Sequence, residues 1–506
     1  MMKNPAGGRH RARSAAARLR LLLAILNAAL LASCASRGIE LSFHAEPELM
    51  PRLQSMLAEF PPPEAWKLLS DPGQAAYRLS LEALRPGEAV PAGCALCGTI
   101  YYAASVELSD PRYSVSAVHA EEIGLVPLES IVPPRRALAV DEALPPSAAY
   151  PFAYSLVLSA SGRGNKAVPA GISSWMRAAG AHAAAADRRP LSLTAVGDMQ
   201  LGEAQGPALL GGEDGLSSLV APGVLERLRL ADVAVGNLES PISSRGEENP
   251  RKRYHFRMPP GASAALKAAG FDLVLFGNNH AFDFGPDAFA DTLQDLESAA
   301  LPMVGAGRDL AEASKARVLE PKRGERLAFV GFAFFPNEIT GFTSAEAEAH
   351  ADRPGIDTDV EAALASVREA AASGATVVVL GHGGVEYSLR PSDEARGLYY
   401  RFIDAGAALV LGSHPHLLQG CEARSGSLIA YSLGNFLFTL ENEPPEAWNG
   451  AILDLLVYRG KVRAIVPRPI IAGYYGTRLD TEMDSARRRF SKLCSGLESL
   501  PPLKSR

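Results

Sequence analysis

The sequence predicts an α/β fold, with sheets covered by helices, over residues 190–475. Two observations carry this. From Leu191 onward, short apolar, β-rich runs alternate with helical patterns. Those runs are continuously apolar rather than alternating, as strands buried on both faces are. A third observation is positional: each run ends in Gly, Asp, Asn, Glu or His.

In chain order the predicted strands are Leu191–Val196, Val233–Val235, Leu273–Phe276, Leu327–Phe335, Thr376–Leu380, Ala408–Leu411 and Leu428–Tyr431. The predicted helices between them are Pro222–Leu230, Ala262–Ala269, Asp287–Ala299, Val360–Ala372 and Asp393–Ala405. Two late runs, Ala451–Val457 and Val462–Ile471, flank Arg459-Gly460 and read as a closing hairpin. Residues 476–506 read as a C-terminal helical tail. Upstream, residues 39–160 read as a smaller α/β domain, with a strand at Ile39–His44, a helix at Glu48–Phe60 stopped by Pro61-Pro62-Pro63, and a strand at Tyr150–Leu158. The texture of Val118–Ile131 loosely resembles a lobe of periplasmic solute-binding proteins. Residues 161–189, rich in Gly, Ala and Arg, are expected to be a linker or helix.

The first 20 residues hold Lys3, Arg9, Arg11, Arg13, Arg18 and Arg20 and no acid, and the apolar run Leu21–Leu31 follows, broken only at Asn27. That run is too short to span a bilayer comfortably, and the basic-then-apolar order marks a secretory signal. It closes on Leu31-Ala32-Ser33-Cys34, which resembles the lipobox of bacterial lipoproteins. The resemblance implies a signal peptide over 1–33, lipidation of Cys34, a tether over 34–38 and an exported protein anchored to a bacterial membrane. Removing the six basic residues leaves 44 basic against 56 acidic, a net charge of −12. So negative a chain excludes nonspecific nucleic-acid binding, and membrane attachment would come from the lipid rather than a basic patch. Cys94 and Cys97 have CxxC spacing without a second pair to complete a zinc site, and are expected to be an exported disulfide or two buried thiols.

The chemistry sits at the strand ends, where ligands of open α/β sheets gather. Five predicted strands deliver Asp198, Glu239, Asn279 with His280, His382, and His414-Pro415-His416 to one rim. The chain has ten histidines, and four of them fall here, which a random scatter would not produce. Any single one of these residues would read as a helix cap or a surface histidine; the ordered set reads as a metal site. Mixed carboxylate, amide and imidazole ligands suit Mn, Fe or Zn better than Ca.

The ordered motifs Ala195-Val196-Gly197-Asp198, Gly236-Asn237-Leu238-Glu239, Gly277-Asn278-Asn279-His280, Gly381-His382-Gly383-Gly384, Gly412-Ser413-His414-Pro415-His416 and Ser432-Leu433-Gly434-Asn435-Phe436 resemble the CapA/PgsA family of poly-γ-glutamate capsule synthesis proteins. That family in turn resembles calcineurin-like metallophosphoesterases, which implies a four-layer αββα sandwich with two divalent metal ions. The resemblance implies that Asp198 and His416 bind one metal, with Gln200 beside them as a weaker ligand. Glu239 would bridge, and Asn279, His382 and His414 would bind the other. His280 would be the proton donor to a leaving group, oriented by Asp283, and the metals would activate a water. The chain departs from the phosphoesterase pattern at Gln200, where a His is usual, at Glu239, where an Asp is usual, and at Gly383, where a Trp is usual. Arg251 and Arg253 are expected to bring cations toward an anionic polymer or phosphate substrate. The expected function is thus a lipid-anchored, metal-dependent hydrolase of cell-surface polymer synthesis, beside a membrane synthase complex. The alternative is a non-catalytic assembly or export factor that keeps the fold.

Overall fold

The computed structural model describes residues 39–498, apart from 65, 72–73, 148, 202–214, 322–324 and 441–442. The expected signal peptide, the tether and Cys34 lie outside the described residues. Two compact units emerge among the described residues, one within 39–101 with 152–187, the other within 102–151 with 188–498.

In the first unit, Glu40–Ala45 pairs in parallel with Lys67–Leu68 and Tyr77–Leu84, and Tyr77–Leu84 runs antiparallel to Ala153–Gly162. The helix Met50–Glu59 starts with a proline in its first turn, where a missing N–H costs nothing. The expected linker at 161–189 holds a second helix, Ala170–Ala186. Its Trp175 is buried among Phe43, Phe60 and Trp66. Cys94 and Cys97 are free thiols, half-buried and buried respectively, so the disulfide alternative is not the form seen.

The sequence texture places a boundary near 160, whereas 102–151 belongs to the second unit. The reason is packing: Ala137 pairs with Ala464, and the Tyr113 ring lies 6.3 Å from Phe490. These are contacts between residues far apart in sequence, which local pattern does not reveal.

The second unit is an αββα sandwich. One sheet contains β1 (Leu191–Gln200), β2 (Val233–Leu238), β3 (Leu273–Leu275) and β4 (Met303–Val304), paired in parallel. The other contains β5 (Arg317–Leu319), β6 (Leu327–Phe334), β7 (Thr376–Gly383) and β8 (Leu409–Ser413). It is completed by β9 (Cys421–Arg424) and β10 (Ser427–Ala430), in the order β5-β6-β7-β8-β10-β9. The first sheet also takes β11 (Asn435–Phe438), β12 (Asn449–Tyr458) and β13 (Lys461–Gly473).

Leu193, Leu273, Phe329, Val378, Leu409 and Leu453 fill the layer between the sheets. Each is fully buried, a burial that stabilises by about 1.5–3 kcal/mol per side chain. Helices α1 (Pro222–Leu230), α2 (Ala262–Ala269) and α3 (Gly285–Ser298) cover the first sheet. Helices α4 (Val360–Ala372) and α5 (Asp393–Asp404) cover the second. The expected hairpin forms between β12 and β13, and Arg459 (φ 51°) and Gly460 (φ 72°) make a turn with both central residues left-handed. The C-terminal helix α6 (Met483–Glu498) buries Phe490 and Cys494 in the inter-sheet core. Among the described residues, no helix is long and apolar enough to cross a membrane.

One backbone detail positions the site. The register of β1 shifts between Ala195 and Asp198, and there β12 gives way to β11 as its neighbour. Gly197 occupies the shift; a Cβ on it would lie 1.8 Å from the Gly434 carbonyl oxygen. Only glycine permits this approach.

Candidate metal centre

The strands deliver their polar residues in register. Asp198 of β1 pairs opposite Asn237 of β2, and His382 of β7 opposite Ser413 of β8. Asp198, Gln200, Glu239, His382, Asn279, His280, His414 and His416 are all buried. Two groups form among them: Glu239 with His382 and His414, and Asp198 with Glu239 and His416, each with ligand atoms within 4.8 Å of one another. Glu239 belongs to both.

Asn237 Nδ2 donates to Asp198 Oδ1 at 2.8 Å and to Glu239 Oε2 at 3.3 Å. The His414 N–H donates to Asp198 Oδ2 at 3.2 Å. His416 Nδ1 lies 2.9 Å from Asn435 Oδ1 and 3.3 Å from Asp198 Oδ2. Both His414 (φ 94°) and His416 (φ 56°) hold left-handed backbone conformations, which cost a non-glycine residue of order 1–3 kcal/mol and cluster at functional sites.

Ser413 Oγ donates to the Gly381 carbonyl at 3.0 Å. His382 Nδ1 lies 3.1 Å from both Ser413 Oγ and the Asn237 Nδ2 donor, and its Nε2 lies 2.8 Å from Asn279 Oδ1. The indication of a ligand is a group of buried polar atoms without hydrogen-bond partners among the described residues: both ring nitrogens of His414, both side-chain polar atoms of Gln200, and Glu239 Oε1. Buried polar groups are usually paired, and unpaired donors concentrated on residues of the ligand groups fit a metal ion. Gln200, the residue standing where a His is usual, is buried with both amide atoms unpaired.

The electrostatics agree for His382 and His414, whereas His416 is held protonated and would release that proton on ligating a metal. Burial, then the neighbouring Asp198 carboxylate, pushes the Glu239 carboxyl well above the usual range. Burial drives His414 down to about 3, and with it His382 well below its ordinary value. Both are therefore neutral imidazoles, the form that ligates. Burial opposes the charge on His416, yet Glu239 and Asp198 hold it up at about 10. Asp198 falls below its ordinary value because hydrogen bonds from His416, Asn237 and His414 outweigh its burial.

His280 stands at the edge of this set, its Nδ1 2.7 Å from Asp283 Oδ2 and its ring 4.2 Å from that of Phe256. Asp283 also accepts the Phe256 N–H at 2.7 Å and pairs with Lys252 Nζ at 2.8 Å. Lys252 is fully buried, donating to the Asn279 carbonyl at 2.5 Å and pairing with Glu338 at 3.1 Å. Its neighbours turn outward: Arg251 is exposed and paired with Glu346, and Arg253 lies over the Tyr254 ring. Among the described residues, no hydrogen bond or ion pair joins either arginine to the cluster. Sequence reasoning passed over Lys252, Asn237, Ser413 and Asn435. Asn237 and Asn435 sit inside the motifs, and their signal is an amide one strand step from a ligand.

A sandwich of two sheets with buried carboxylates, amides and imidazoles at the strand ends defines a metallophosphoesterase-like protein. Residues 192–440 match the family described as bacterial capsule synthesis protein PGA_cap, and this domain of the chain belongs to that family. The chain is 32% identical over 251 residues to the PGA biosynthesis protein CapA of Bacillus subtilis (strain 168), covering 49% of this chain and 63% of that protein. It is 31% identical over 261 residues to the capsule biosynthesis protein CapA of Bacillus anthracis, covering 50% and 61%. A probable polyglutamine synthesis accessory protein of Mycobacterium tuberculosis (strain CDC 1551 / Oshkosh) is 32% identical over 214 residues, covering 40% and 55%. The chain thus spans about three fifths of the length of the two Bacillus relatives.

Proposed function

We propose that the chain is a metal-dependent hydrolase acting in the synthesis of an anionic cell-surface polymer, with capsular poly-γ-glutamate as its candidate substrate; its relatives are named as a PGA biosynthesis protein and a capsule biosynthesis protein. The observation that carries this reading is the sharing of Glu239 between two buried ligand groups, the arrangement that two divalent ions would need. Asp198, Gln200, Glu239 and His416 would hold one ion, and Glu239, Asn279, His382 and His414 the other, with Mn, Fe or Zn favoured by the donor types. Bound there, the ions would supply Lewis-acid polarisation of a carbonyl or phosphoryl oxygen.

The chain's own groups do the rest. His280 exchanges a proton at Nε2 with the reacting group, while Asp283 holds Nδ1 and compensates the charge. Lys252 fixes Asp283 from behind. In this reading the chain is exported, held to the bacterial membrane through lipid on Cys34, and works beside a membrane polymer synthase, where Arg251 and Arg253 attract the polyanion.

The test is metal analysis of the purified protein with assays on poly-γ-glutamate and on a chromogenic phosphodiester. Two equivalents of transition metal and turnover lost on chelation are expected. Protein that takes up no metal would refute the hydrolase.

A further inference from the structure

Behind the loops that carry the histidines lies a cavity of about 650 Å³ that the hydrolytic chemistry does not use. Its walls include Leu389, Leu417, Leu418, Ile470 and Leu493, with α6 forming one side. Cavities of roughly 300–1,000 Å³ with apolar walls and a few convergent polar groups are the usual form of a small-ligand site.

The charged groups on the lining are uneven. Arg489 pairs with Asp480 at 3.6 Å. Arg390 and Lys492 make no ion pair among the described residues, and the remaining carboxylate on the lining is Glu446. Two unpaired cations beside an apolar hollow call for an acidic head on a hydrocarbon body. Each methylene taken from water into such a hollow contributes about 0.8 kcal/mol, and the cations add attraction for the head group.

The cavity also shares its walls with the candidate metal centre. Leu417 and Leu418 directly follow His416. Gln419 Nε2 donates to the Ser388 carbonyl at 2.8 Å, and the Tyr387 N–H donates to the Pro415 carbonyl at 2.9 Å. These bonds tie the loop after β7, which contributes Leu389 and Arg390, to the loop after β8.

We propose that this cavity binds an anionic amphiphile, a single hydrocarbon chain bearing a carboxylate or phosphate. The chain lies against Leu418, Ile470 and Leu493, and the head group meets Arg390 and Lys492. Such a ligand would place a lipid-linked acid against the two loops that hold His382, His414 and His416. The proposal stands apart from the hydrolase reading, since it concerns binding alone.

Calorimetric titration of the full chain with dodecanoate, farnesyl phosphate and dodecyltrimethylammonium, each below its micellar concentration, tests it. One equivalent of dodecanoate or farnesyl phosphate is expected to bind, the tighter of the two identifying the chain type, with the cationic amphiphile at least about tenfold weaker. Gly496 lines the cavity, and a Cβ there meets nothing within 4 Å. Gly496→Phe therefore fills the space without a backbone clash and should weaken binding by about tenfold or more. The double reversal Arg390→Glu/Lys492→Glu, on exposed side chains, should weaken the acids and spare the cationic amphiphile. Melting temperature and metal content should be unchanged in both variants. Equal binding of the cationic amphiphile, or full affinity in folded Gly496→Phe, would overturn the proposal.

Discussion

Asn237 donates from its side-chain amide to Asp198 at 2.8 Å, across the parallel register of β1 and β2. The same nitrogen reaches Glu239 Oε2 at 3.3 Å and lies 3.1 Å from His382 Nδ1. The amide thereby ties the two acids to the imidazole, and its removal leaves buried ligand oxygens without their donor. Replacing Asn237 by Ala should weaken metal binding by about 10–100-fold, the usual cost of losing a group that orients a ligand. The same change should lower folding stability by about 1–3 kcal/mol. Competition titration with a metal indicator and urea unfolding measure the two effects, and metal affinity equal to the parent's would show that the amide has no orienting role.

His414 offers the opposite test. Neither ring nitrogen has a hydrogen-bond partner among the described residues, so His414→Ala removes no native hydrogen bond. The metal-free variant should lose only packing, while the rise in melting temperature that metal produces in the parent should shrink or vanish, because stabilisation by a bound ligand depends on its affinity. Thermal shift with and without Mn or Zn reads this directly. An undiminished metal-dependent rise would remove His414 from the ligand set.

The extent to which the sequence foretold this site follows from the physics of strands. Helices Pro222–Leu230, Ala262–Ala269 and Val360–Ala372 appear at their expected bounds, since each has an apolar stripe with a clear stop. Strand β1 runs to Gln200, four residues beyond the expected Val196, because its continuation is polar and pairs with the distant β11. The ligand residues were legible as polar groups after glycine at strand ends. Lys252 was not, because a lysine between two arginines reads as one solvated run. Its burial depends on Glu338 and Asp283, which arrive from elsewhere in the chain. The place of 102–151 was hidden for the same reason, resting on pairings such as Ala137 with Ala464.

Lys252 therefore carries a stability prediction. Its ammonium is fully buried between Asp283 and Glu338 and donates to the Asn279 carbonyl. Lys252→Met keeps the aliphatic stem but leaves two carboxylates without their cation, and breaking a buried pair in this way costs about 3–5 kcal/mol. Denaturant unfolding should show that loss at neutral pH. Adding Glu338→Gln should restore part of it, by removing one of the stranded charges. A loss below about 1 kcal/mol would place the ammonium in solvent instead.

Asp357 sets an expected pH dependence away from the metal centre. It is fully buried, one oxygen accepts the Asp359 N–H at 3.1 Å, and the other has no partner. Burial, reinforced by the nearby Asp359 and Glu348 charges, pushes its carboxyl up to about 8. In the unfolded chain the group titrates near about 3.9. Between these values the folded protein binds the extra proton, so this group makes stability fall as pH rises from about 4 to about 8, and adds no further slope above that. Asp357→Asn keeps the shape and cannot ionise. Its advantage over the parent should therefore grow with pH and level off near pH 8, at about 1–3 kcal/mol after the cost of an imperfectly paired amide. Melting curves of both proteins at pH 5, 6.5 and 8 measure this. A difference that stays constant across the three would mean that Asp357 ionises normally in the fold.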